Sequence, residues 1–81
     1  MLGYGSERMA MLFEDSLQIA WDYLERLGEI EEPATAARYL AETIERRLRS
    51  GEEHRILLSN HAINDYRRFV QDRRRRHGDR L

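Results

Sequence analysis

The sequence of 81 residues contains no cysteine, no lysine, a single proline and no long apolar run. Without cysteine, neither a disulfide nor a thiolate-bound metal can stabilise the chain. No apolar stretch approaches the roughly 20 residues that a membrane-spanning helix needs. The first 27 residues include five acidic ones, which argues against a signal peptide. We therefore expect one small, soluble, cytoplasmic domain.

The charge of the chain is carried by arginine alone and is unevenly divided. Arginine codons are richer in G and C than lysine codons, so the composition suggests a GC-rich, bacterial genome. Residues 1–53 hold 12 acidic residues and 6 arginines, for a net charge of −6, whereas residues 54–81 hold 3 and 8, for a net charge of +5. This asymmetry favours either a nucleic-acid-binding tail or two halves that dock on each other, within one chain or between two.

The apolar periodicity predicts an all-α fold, a small three-helix bundle with short connectors. The first helix is expected over residues 7–27, with Ser6 as its N-cap and Gly28 as the residue that ends it. Pro33 fits the first turn of a second helix, which runs to about residue 50 and ends at Gly51.

The third helix is expected to start at a cap formed by Ser59 or Asn60 and to run to about residue 75. The short apolar run before it, Ile56–Leu58, has no readable period, and we interpret it as a helical turn or tight loop that closes one end of the core. The predicted organisation is a flexible terminus over 1–6, one helical domain over 7–75 and a flexible tail over 76–81.

The first helix is the most apolar of the three. Its apolar side chains sweep an arc of roughly 200° at about 100° per residue, whereas an amphipathic helix usually buries a stripe about 100° wide. Two short helices are not expected to cover that arc, so we predict a homodimer in which the first helix serves both the core and the interface. The predicted interface residues are Phe13, Leu17, Trp21 and Leu24.

The arginines near the C-terminus have two interpretations. The apolar stripe of the third helix ends at Val70, so Arg73 and Arg74 are expected to lie on an overhang beyond the bundle, as a solvated helix end whose cations suit the helix dipole. The alternative is a nucleic-acid-associated protein that binds phosphate through the arginines, namely Arg67, Arg68, Arg73, Arg74, Arg75 and Arg76. Interspersed aspartates, among them Asp72, and the scarcity of aromatic residues weigh against it.

No pattern in the sequence predicts catalysis, a metal site or a cofactor. The three histidines, His54, His61 and His77, lack metal-ligand spacing, and the glycines build no phosphate loop. Asn60 and Asn64 are interpreted as local capping residues. We predict a non-enzymatic interaction or regulatory module whose partner is itself or another, unidentified protein, with no small-molecule substrate and no membrane. A third hypothesis is a subunit that is stable only within a larger complex.

Overall fold

The protein is described by a computed structural model that covers the backbone of residues 3–79 and the side chains of residues 7–76. It contains three helices, α1 (Gly3–Arg26), α2 (Pro33–Arg49) and α3 (Arg55–Asp79), and each packs against both of the others. No strand occurs within the described backbone. The predicted all-α three-helix fold is therefore confirmed, while dimerisation stays a prediction.

Gly28 ends α1 and Gly51 ends α2, as predicted. Gly28 has a φ of +70°, its amide donates to the carbonyl of Glu25 at 3.0 Å, and the amide of Glu29 donates to the carbonyl of Leu24 at 2.9 Å. Gly51, with a φ of +104°, closes α2 through the same pair of bonds. These bonds form the Schellman motif, which requires a left-handed residue and therefore favours glycine.

The starts of α1 and α3 differ from the prediction. α1 begins at Gly3, so Ser6 lies inside the helix and is not its N-cap. α3 begins at Arg55, four residues before Ser59, whose buried hydroxyl donates to the carbonyl of Arg55 at 3.0 Å. The run Ile56–Leu58 therefore forms the first turn of α3, and neither Ser59 nor Asn60 caps it.

α3 also continues to Asp79, beyond the predicted end at 75. The tail predicted over 76–81 is thus helical as far as Asp79, and residues 80–81 lie outside the described residues. Among the described residues, no helix is both long and apolar enough to cross a membrane.

The core is built from side chains that recur at intervals of about four residues, which places them on one face of each helix. Ser16 is the polar member on α1, and its hydroxyl donates to the carbonyl of Leu12 at 2.6 Å, so its burial leaves no donor unpaired. The repeating buried residues are Leu12, Ser16, Ala20 and Leu24 on α1, Ala36, Leu40, Ile44 and Leu48 on α2, and Leu58, Ala62 and Tyr66 on α3.

The short connectors make consecutive helices antiparallel, so α1 and α3 run in the same direction. Two ion pairs show the register: Arg55, at the start of α3, meets Asp15 in mid-α1 at 3.0 Å, and Arg67 meets Glu29, just after α1, at 2.8 Å. The arginine-rich end of α3 consequently lies beside the acidic α1–α2 connector, residues 27–32.

Candidate interaction surfaces

The predicted interface residues occupy two different environments. The Leu24 side chain is 0% exposed, so it belongs to the core and has no surface of its own to offer a partner. Phe13, Leu17 and Trp21 are partly buried and pack against the core. Their role in an interface stays a prediction, and their remaining exposure is compatible with it.

These three side chains lie on the edge of α1 that faces α2. Each of the three directly follows a buried residue of α1, namely Leu12, Ser16 or Ala20. Asp15 and Tyr23, in contrast, directly precede the buried residues Ser16 and Leu24. Asp15 and Tyr23 contact arginines of α3, because Arg55 pairs with Asp15 and the guanidinium of Arg67 lies 5.4 Å from the centroid of the Tyr23 ring. The opposite edge of the buried row, which carries Phe13, Leu17 and Trp21, therefore faces α2.

Two half-buried alanines occupy the corresponding edge of α2. Ala37 and Ala41 follow buried residues of α2, whereas Tyr39 lies on the other edge and stacks on Phe69 of α3, with ring centroids 4.6 Å apart. The alanines consequently face α1. We call the surface formed by Phe13, Leu17, Trp21, Ala37 and Ala41 the α1–α2 seam. It combines large side chains on one helix with small ones on the other.

Apolar side chains of α1 also remain in solvent outside the seam. Met11 is 62% exposed, Tyr23 is 42% exposed and Met9 is 40% exposed. This agrees with the expectation that two short helices do not cover the whole apolar arc of α1.

A second surface forms where α3 meets the α1–α2 connector. Arg67 donates two hydrogen bonds to the carboxylate of Glu29, from Nε to Oε1 at 2.9 Å and from Nη2 to Oε2 at 2.8 Å. This planar, bidentate geometry is the strongest that arginine and a carboxylate form. The hydrogen bonds from Arg67 lower the pKa of Glu29 against the opposing effect of burial, and the same contact raises the pKa of Arg67.

Two further arginines bind the same connector. Arg74 pairs with Glu31, and Arg73 lies 3.9 Å from Glu32 while its guanidinium is 5.5 Å from the centroid of the Phe69 ring. We call these three ion pairs, including Arg67–Glu29, the arginine clamp. Arg73 and Arg74 are exposed, as expected for a solvated helix end. They do not overhang the bundle, however, because α1 and α3 run parallel and the connector that follows α1 therefore lies beside them.

The six arginines of the nucleic-acid interpretation are thus divided. Three of them belong to the clamp. Arg68 lies 3.8 Å from Asp65, a long contact, and Arg75 and Arg76 are exposed. Among the side chains of residues 7–76, neither Arg75 nor Arg76 forms an ion pair with Asp72, although each lies within four positions of it. The nucleic-acid role stays a prediction, with fewer arginines available for it.

The remaining candidates are placed apart from one another. His54 is exposed and His61 is half-buried, and the side chain of His77 lies outside the described residues. No group of three or more His, Cys, Asp or Glu side chains that could hold a metal ion occurs among residues 7–76. Asn60 and Asn64 lie inside α3, so they do not cap it as expected, and they line a shallow groove with Tyr23.

No family model, curated protein or solved structure matches the chain. The sequence did not identify Glu29, Glu31 and Glu32 as partners of specific arginines. The one signal available was the opposite net charge of the two halves, which favoured docking without saying which side chains meet.

Proposed function

We propose that the protein is a non-enzymatic helical interaction module that forms a homodimer through the α1–α2 seam. The observation that carries the proposal is that Phe13, Leu17 and Trp21 stay partly exposed in a folded chain whose three helices are already packed on one another. The proposal assigns the protein no catalytic residue, no cofactor and no small-molecule substrate. The proposal also keeps the cytoplasmic location that the sequence led us to expect.

Two physical arguments favour a second copy as the partner. An 81-residue chain buries only about 60% of its unfolded surface, so domains of this size often gain stability by associating. Aromatic residues are enriched among those that dominate interface energetics, and Trp21 and Phe13 lie at the two ends of the seam row. Ala37 and Ala41 leave room for large side chains of an approaching helix. A two-fold dimer would bury the same seam on both copies.

The proposal is tested by substitutions on both helices of the seam. We expect Leu17→Glu and Ala41→Gln each to weaken self-association by at least about tenfold, since each places a polar side chain in the buried contact. Met11→Glu is the matched control, because Met11 is on α1, outside the seam and 62% exposed. Sedimentation equilibrium measures the dissociation constant, and circular dichroism establishes that each variant is folded.

Ala41→Gln keeps the test decisive if Leu17→Glu unfolds the monomer, because glutamine is a good helix former and Ala41 is only half-buried. A folded Ala41→Gln variant that associates as tightly as the native chain would contradict the proposal. A native chain that is unfolded in isolation would favour the hypothesis of a subunit stable only with another protein.

A further inference from the structure

We infer that in the dimer α1 of each copy lies along α2 of the other, with Glu25 facing Arg38 of the partner subunit. The inference rests on the proposed function and specifies how the second copy is oriented. It is drawn from the charges that border the seam.

Glu25 and Arg38 lie at the outer borders of the same end of the seam. Glu25 is one helical turn beyond Trp21 on α1, and Arg38 directly follows Ala37 on α2. Both side chains are exposed, and neither forms an ion pair with another side chain of residues 7–76. Each of them is thus available to a partner without breaking a contact seen in the monomer.

The antiparallel run of α1 and α2 brings these two residues to the same end of the bundle. The connector that joins the helices spans only residues 27–32, so the last turn of α1 lies beside the first turns of α2. Glu25 and Arg38 are each within two turns of the connector. On the outer borders of neighbouring helices they point away from each other, which agrees with the lack of an ion pair between them in one chain.

Two kinds of two-fold axis can bring seam against seam. An axis parallel to the bundle sets α1 opposite the partner's α2 at the same height. Glu25 then meets Arg38 of the partner subunit, and the symmetry forms that pair twice. The same arrangement places the Trp21 ring against small side chains of the partner's α2, so that large and small surfaces are matched as in a well-packed core.

An axis perpendicular to the bundle sets α1 against α1 and α2 against α2. The seam border of α1 carries Glu14 and Glu25 and no arginine, since Arg8 pairs with Glu53 on another side of the helix. That arrangement gives the acidic border no basic neighbour. Like charges brought together at an interface are unfavourable and select against such a partner. The charges therefore favour the axis parallel to the bundle.

Charge reversal tests the orientation. We expect Glu25→Arg and Arg38→Glu each to weaken self-association by about tenfold, because each places like charges together at two symmetric positions. The double variant E25R/R38E restores opposite charges and is expected to recover the native dissociation constant to within about threefold. Arg26→Glu is the control, as a charge reversal of an exposed α1 residue on the side of the helix away from the seam border.

The outcomes separate the orientation from the dimer itself. If Ala41→Gln weakens association but the single reversals do not, or if the double variant fails to recover, the orientation is wrong and the seam dimer stands. If the native chain sediments as a monomer throughout, the proposed function fails and the orientation fails with it.

Discussion

Glu29 is the residue at which the acidic and basic halves of the chain are most tightly joined. It receives two hydrogen bonds from Arg67, a residue 38 positions away, and its pKa is lowered mainly by them. A carboxyl whose pKa is lower in the folded state than in the unfolded state stabilises the fold at pH values above its unfolded pKa. That contribution is lost as the pH falls through the folded pKa.

The lowered pKa of Glu29 in the folded state gives a prediction for Glu29→Gln. The substitution is expected to lower the free energy of unfolding at neutral pH, since it removes the ionised partner of Arg67. The difference from the native chain should shrink as the pH falls below the unfolded pKa of about 4.5. Urea unfolding followed by circular dichroism from neutral pH to pH 3 measures the difference.

Glu42→Gln is the control for that series, as an exposed α2 residue with no ion pair among the described side chains. A difference between the native chain and Glu29→Gln that is constant with pH would show that ionisation of Glu29 does not support the fold.

At the scale of the element, the helix ends divide into those that local chemistry determines and those that packing determines. Gly28, Gly51 and Pro33 each act through their own backbone, so the sequence located the ends beside them correctly. The start of α3 was missed because Ser59 is a favoured capping residue preceded by an apolar run of unreadable period. Burial of Leu58 in the core extends the helix back to Arg55.

The corrected start of α3 gives a prediction for Ser59→Ala. In the structure the hydroxyl of Ser59 donates to carbonyls inside the helix, so alanine, the best helix former, is expected to change the free energy of unfolding by less than about 0.5 kcal/mol. An N-cap replaced by alanine typically costs about 1 kcal/mol or more. Chemical denaturation distinguishes the two, and a loss of that larger size would restore the later helix start.

For the whole molecule, the number and order of helices were predictable. The apolar periodicity and the residues that start or end helices indicate the same three segments. The sequence predicted that the acidic and basic halves could dock, but it did not predict which residues form the arginine clamp. Opposite net charges of the two halves favour docking, but Arg67 and Arg74 reach partners 38 and 43 positions away. Which arginine meets which glutamate depends on the register of α1 and α3, which no local pattern encodes.

The wide apolar arc of α1 was visible in the sequence. Which of its residues are fully buried and which stay partly exposed was not. Leu24 and Trp21 are three positions apart on the same arc, and the structure buries one completely and the other in part. That difference depends on where α2 and α3 approach α1. It decides which of the four predicted interface residues retain a surface for a partner.

Whether a second copy covers the partly exposed seam can be measured from the mass of the native chain in solution. Sedimentation equilibrium at high micromolar concentration is expected to give twice the chain mass of 9.7 kDa, falling toward the monomer mass on dilution as the accessibility of Trp21 to a soluble quencher rises. A mass of one chain at every concentration, with no change in quenching of Trp21, would show that no second copy covers the seam.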